Sequence, residues 1–231
     1  MANEFHFDNS GTLATALAES VASGLRAAIA ARGRASLVVS GGRTPGPFQM
    51  ALSGHELDWA KVWVTLADER WVDTDHADSN EALVRRYLLR ERAIDARLVG
   101  LKNAAATPFL GEAECESSLA ALPLPFDVVL LGMGDDGHTA SFFPRAPQLA
   151  KALDMDSGRL CIGVDPVTAP HARMSLTLPA LLASRRIVIL FNGAAKYDVY
   201  RRALQAGPVE ALPIRSVLNQ HKVSVDVYWS H

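Results

Sequence analysis

The stretch Phe126–Pro144, FDVVLLGMGDDGHTASFFP, decides how this chain is read. An apolar, β-branched run, Asp127–Leu131, gives way to three glycines, two aspartates and a histidine. The run has the composition of a buried strand, and the segment after it is too glycine-rich and too polar for core, so it reads as a turn. Glycine permits left-handed backbone and lets a ligand approach the main chain. Asp135, Asp136 and His138 are therefore expected at the carboxyl end of a strand, where open α/β sheets place their ligands. The spacing Gly132-x-Gly134-x-x-Gly137 also matches the dinucleotide fingerprint, which needs a long helix after its third glycine. Pro144 and Pro147 interrupt the chain within ten residues of Gly137, and proline breaks a helix interior. Two carboxylates between the second and third glycines also have the wrong sign for a pyrophosphate. The nucleotide reading is set aside.

Outward from this stretch, apolar runs alternate with helical patterns. Leu13, Leu17, Val21, Leu25 and Ile29 recur every four residues between Ser10 and Arg32, the pattern of an amphipathic helix. Short apolar strands are expected at Ser36–Ser40, Val62–Leu66, Leu98–Leu101, Leu160–Val164, Ile187–Phe191 and Val223–Tyr228. Helices are expected at Pro47–Leu52, Ser79–Arg92 with Ser79 as N-cap, Glu112–Leu122 and Ala194–Ala206. This alternation predicts α/β architecture: a single domain over residues 1–231, with an open, mainly parallel sheet and helices on both faces.

Composition narrows the function. In 231 residues, 49% are apolar, enough for a sizeable core, and the net charge is −2 with no basic run longer than two residues. Nothing supports a nucleic-acid surface. No stretch approaches eighteen apolar residues, and MANEFHFDNS lacks the features of a secretory leader, so no membrane association is expected and the protein is placed in the cytoplasm. Cys115 and Cys161 form neither a metal spacing nor a disulfide framework and read as small core residues. No HExxH, no Cys/His cluster and no Gly-x-Ser-x-Gly elbow is present. Neither metal nor cofactor is expected.

Three further segments carry polar chemistry. Ser40-Gly41-Gly42-Arg43-Thr44-Pro45 leads from a strand into a helix, and its glycines expose successive N–H groups that could hold a phosphate, the alternative being a tight turn. In Asp68-Glu69-Arg70, strand alternation points Asp68 and Arg70 one way and Glu69 the other. Arg70 could meet an oxyanion or close an ion pair. Asn192 suits the cap of a helix in whose first turns Lys196 opposes the macrodipole, a conflict that a bound anion would relieve. His138 is the histidine best placed to take a proton from water, with Asp136 as a candidate to orient it.

Taken together, SGGRTP (Ser40–Pro45), DERWV (Asp68–Val72), DSN (Asp78–Asn80), LLGMGDDGHTASFFP (Leu130–Pro144), PHARMSLTLPAL (Pro170–Leu181) and NGAAK (Asn192–Lys196) resemble the 6-phosphogluconolactonase family, in family order. The resemblance implies a modified Rossmann-like fold of the sugar-phosphate isomerase and deaminase type, and hydrolysis of 6-phospho-D-glucono-1,5-lactone in the oxidative pentose phosphate pathway. It implies His138 as general base with Asp136 beside it, and Arg70 acting in catalysis. It places Gly41, Gly42, Arg43, Thr44, Asp68, Arg173 and Lys196 around a small-molecule substrate, with His171 behind them. A monomer or homodimer is expected. The nearest rival is a glucosamine-6-phosphate deaminase, whose family has a glutamate where this chain has Phe143 and usually a tyrosine where it has Arg70. A non-catalytic sugar-phosphate sensor is the other alternative.

Overall fold

The long first helix shows how local sequence builds this fold. In the computed structural model, which describes residues 2–231, α1 spans Ser10–Arg32. Asn9 caps it by accepting the amides of Gly11 (3.0 Å) and Thr12 (2.9 Å). Gly33, at φ 72°, closes it through its own N–H to Ile29. The helix is long and apolar enough, by length and composition, to cross a membrane. Eight of its residues, from Leu13 to Ala28, are nevertheless buried inside the fold, against the sheet and the second helix.

The other elements follow in order: β1 (Asn3–Phe7) before α1, then β2 (Ala35–Val39), α2 (Gly46–Ser53), β3 (Val62–Leu66), β4 (Asp68–Arg70), α3 (Asn80–Tyr87), β5 (Arg97–Val99), α4 (Pro108–Leu119) and β6 (Val128–Gly132). The chain continues with α5 (Leu149–Leu153), β7 (Cys161–Val164), β8 (Arg173–Leu176), α6 (Leu178–Leu182), β9 (Arg186–Asn192), α7 (Ala194–Ala203), α8 (Arg215–Leu218) and β10 (Ser224–Ser230). Seven strands form one parallel sheet in the order β1-β10-β9-β6-β2-β3-β5. Its inner strands are continuous apolar runs because both faces are covered. From β2 the chain steps outward through β3 and β5, then returns and steps the other way through β6, β9 and β10. Crossovers that run in opposite directions with the same right hand place helices on both faces. The reversal between β2 and β6 is the topological switch point, and its crevice opens at the strands' carboxyl ends.

Three differences from the sequence reading have local causes. A second sheet, β4-β8-β7, is antiparallel with only three to four residues per strand, too short to show an apolar period; it takes the strand expected at Leu160–Val164, which pairs here and not in the parallel sheet. The helix expected through Arg92 ends at Tyr87: Leu88 and Leu89 both donate to Val84, and Glu91 takes a left-handed φ of 49° that begins a 3₁₀ turn. Asn192 does not cap α7. It is the last residue of β9, its side chain accepts from Ser230 (3.2 Å), and Gly193 at φ 95° takes the cap position without a side-chain bond. Cys115 and Cys161 are free and buried, as expected.

Candidate active site

Glu69 anchors the site from behind. As alternation requires, it points away from Asp68 and Arg70 and is fully buried. Its carboxylate accepts the amides of Arg70 (2.7 Å), Asn80 (2.7 Å) and Glu81 (2.8 Å) and the hydroxyl of Ser79 (3.0 Å). It thereby ties β4 to the first turn of α3, where the helix dipole favours an anion. Burial pushes its pKa up against the pull of these donors. Glu69→Gln leaves one oxygen for four donors and turns an amide N–H toward them. We expect a loss of about 2 kcal/mol, read as a lower urea midpoint at unchanged m-value; an unmoved midpoint would contradict this anchoring role.

On the opposite side of β4, a cleft of about 360 Å³ opens at the switch point. Its walls are the turns that follow β2 and β6, together with Asp68, Arg70, Asn80, Phe143, Arg173 and Lys196. Every residue expected in the site except Asp136 lines this cleft, and Asp136 is bonded to His138, which does.

The turn after β2 presents main chain. The amides of Gly41, Gly42, Arg43 and Thr44 find no acceptor among the described residues, and Gly42 sits at φ 94°. Such a run of free N–H groups at a helix start has the geometry that can receive an anion. Gly41 has no room for a side chain: a Cβ would lie 1.8 Å from Oδ1 of Asn80, which is held at both ends by hydrogen bonds. Gly41→Ala must therefore displace Asn80 and the turn together. A drop of about 10²-fold in kcat/KM is expected, as for an ångström-scale misplacement in a site; wild-type kinetics in this variant would show that the turn tolerates the shift.

The turn after β6 presents the histidine. Gly137, at φ 75°, makes the reversal and packs against Leu212. Gly134 leaves space for the ring, since a Cβ there would lie 2.2 Å from His138 Nδ1. Nδ1 is 2.6 Å from Asp136 Oδ1, which also accepts the His138 amide at 3.1 Å. A carboxylate only accepts, so Nδ1 carries the hydrogen and Nε2 is the ring's free basic nitrogen. Half-burial opposes ionisation of Asp136, but the bond to His138 and the histidine's charge outweigh it and hold the carboxyl below its usual range. The Phe143 ring lies 4.4 Å from the imidazole, so no carboxylate occupies that flank. No long helix follows Gly137; the next one is the five-residue α5.

The second sheet delivers the basic wall. In the β4–β8 ladder Arg70 stands directly opposite Arg173, and like charges so placed repel. Arg173 is 5% exposed, and its Nε and Nη1 are buried without a partner. Burial lowers its pKa, with Asp68 opposing the fall and Arg70 adding to it. Arg70 spends Nη1 on the Asp78 carbonyl (2.9 Å) and on Asn80 Oδ1 (2.8 Å). His171, at φ 66°, lies outside the cleft and bonds Asp78 at 3.0 Å, backing the segment that holds Arg70. Sequence reasoning assigned no role to Asn80 or to Ser141, whose hydroxyl donates to Asp68 Oδ2 at 2.6 Å. Both lie within segments that carry the family resemblance, Asn80 in Asp78–Asn80 and Ser141 in Leu130–Pro144, but neither has a local pattern that points to its partner.

A parallel sheet with a basic, histidine-bearing cleft at its switch point defines an α/β enzyme for a small anionic substrate. The chain belongs to the glucosamine-6-phosphate isomerase/6-phosphogluconolactonase family, whose model matches residues 8–229. It is 46% identical over 218 residues to a 6-phosphogluconolactonase of Pseudomonas putida, covering 94% of this chain and 88% of that one. It is 43% identical over 229 residues to a 6-phosphogluconolactonase of Rhizobium meliloti, covering 99% of each. The crystal structure of a 6-phosphogluconolactonase from Shewanella baltica superposes with a TM-score of 0.98 at 48% identity, over 100% of this chain and 98% of that chain.

Proposed function

We propose that this chain, acting as one domain, hydrolyses 6-phospho-D-glucono-1,5-lactone to 6-phospho-D-gluconate in the oxidative pentose phosphate pathway. The observation that carries the reading is the Arg70–Arg173 opposition, with Arg173 buried and unpartnered, in the same cleft as the His138–Asp136 pair. Two facing guanidinium groups ask for an anion between or above them, and the free amides of Gly41–Thr44 offer a second anion seat. A substrate with a phosphate at one end and a developing oxyanion at the other fits both.

In this mechanism His138 Nε2 removes a proton from water as the water oxygen bonds to C1, and Asp136 stabilises the resulting imidazolium. Arg70 faces the charge that develops on the carbonyl oxygen. When the tetrahedral intermediate collapses, the C1–O5 bond breaks and the imidazolium returns its proton to O5. The product acid then loses a proton to solvent. A lactone carbonyl is reactive enough for this route without a metal or a covalent nucleophile. Gly42, Arg43 and Thr44 hold the phosphate remote from the reacting carbon and so fix its position, while Arg173 and Lys196 complete the positive wall. The free, buried cysteines accord with the reducing cytoplasm, and the protein would work there as a monomer or homodimer.

The test is proton release at constant near-neutral pH on adding the enzyme to freshly generated lactone, against the spontaneous rate. Acceleration is expected. A rate equal to the spontaneous one would overturn the proposal, and ammonia release from glucosamine 6-phosphate would then identify a deaminase.

A further inference from the structure

Asp68 and Arg70 are two residues apart on one side of β4, so their side chains face the same cleft. Opposite charges so placed attract. Yet among the described residues neither Arg70 nor Arg173 forms an ion pair with Asp68. Asp68 Oδ2 is taken by the Ser141 hydroxyl, and Oδ1 by the Asn80 amide at 3.3 Å. The Asn80 Nδ2 also donates to the Asp68 carbonyl at 2.8 Å, while its Oδ1 accepts Arg70 Nη1 at 2.8 Å. We propose that Asn80 is a positioning residue: its amide, wedged between Asp68 and Arg70, prevents the two from closing into an ion pair and keeps the Arg70 guanidinium open to an anionic substrate.

The residue type matters. An amide has an acceptor for the guanidinium and a donor for the carboxylate, and the flipped orientation would set donor against donor and acceptor against acceptor. Asn80 is 2% exposed and cannot swing away. Its own main-chain N–H is bonded to Glu69, and its side chain fills the space that Gly41 leaves empty. With both Nη1 hydrogens committed to Asn80 and Asp78, the Nε–Nη2 edge of Arg70 has no protein acceptor among the described residues. That edge is the one that binds a carboxylate or phosphate in two parallel bonds. Aspartate at position 80 would be nearly isosteric but would press an oxygen against Asp68 and pair with Arg70 itself.

The inference deepens the lactonase reading, on which it rests, and its test separates the two. Wild type, Asn80→Ala, Asp68→Asn, the double variant and Asn80→Asp are compared by lactone kinetics and by calorimetric binding of 6-phosphogluconate. Asn80→Ala should weaken both kcat/KM and binding about tenfold or more, because Asp68 then captures Arg70. Adding Asp68→Asn should restore part of the loss, so the double variant exceeds the product of the single effects by about fivefold, within the range of coupled contacts. Asn80→Asp should be worse than Asn80→Ala. Multiplicative single effects overturn the spacer role. So does an Asn80→Asp protein that outperforms Asn80→Ala, as mere space-filling demands. Should Asn80→Asp fail to fold, the cycle built on alanine and Asp68→Asn decides. Coupled binding without lactone turnover by wild type would keep the spacer and reject the lactonase.

Discussion

Replacing His138 by alanine is expected to lower kcat about 10²–10⁴-fold, the usual worth of a positioned general base, with KM little changed. The alanine removes the Nε2 base and leaves the anion-collecting wall, whose members come from other turns and strands, in place. Asp136→Asn should approach the same loss by another route. An asparagine can donate its amide hydrogen to Nδ1, which drives the ring proton to Nε2 and leaves no base facing the cleft. The pH profile distinguishes the two partners. Because Asp136 is held below the ordinary carboxylate range, it stays ionised throughout the range from mildly acid to neutral. Any acid limb of kcat/KM should therefore not come from Asp136, and it should vanish in His138→Ala. An acid limb that persists unchanged in that variant, or full activity of either variant, would remove the dyad from the mechanism.

The second large effect is expected at Arg173, with opposite signs on activity and stability. Arg173→Met should raise KM and lower kcat/KM about 10²-fold, because a desolvated cation facing an anionic substrate is lost. The same change should stabilise the free protein by about 1–2 kcal/mol. The guanidinium is buried with Nε and Nη1 unbonded and stands opposite Arg70, so the free protein carries its desolvation and this repulsion with only the attraction of Asp68 and the Phe143 ring to offset them. Methionine fills a similar volume with neither cost. Urea denaturation and steady-state kinetics on the same samples provide both readings. Lower stability together with unchanged KM would mean that Arg173 serves the fold and not the substrate.

These two sites were legible to different degrees. His138 announced itself because strand, glycine turn and histidine are contiguous, and the backbone dictates where a residue after a β-strand's carboxyl end must sit. The bond to Asp136 was open, since adjacency in sequence does not bring side chains together; Gly134 and Gly137 permit the tight turn that does. Arg173 was assigned only through family resemblance. Nothing in ARMSL marks a strand that lies against Asp68–Arg70, because that pairing joins residues about a hundred positions apart and each strand is too short for a period. The exposed edge strand Asn3–Phe7 escaped notice for a related reason: it buries almost nothing, so it carries little hydrophobic signal.

By itself, then, the chain's order of apolar runs and turns determined six of the seven parallel strands, the five longest helices, and the gathering of the Gly41–Thr44 and Gly132–His138 turns at one edge, because periodicity and glycine placement are local properties. The tertiary structure alone decided that Arg70 faces Arg173, that Ser141 holds Asp68, and that Asn80 stands between Asp68 and Arg70. Those relations arise from hydrogen bonds and burial between segments distant in sequence, and no local pattern encodes which distant group will satisfy a buried donor or leave one free.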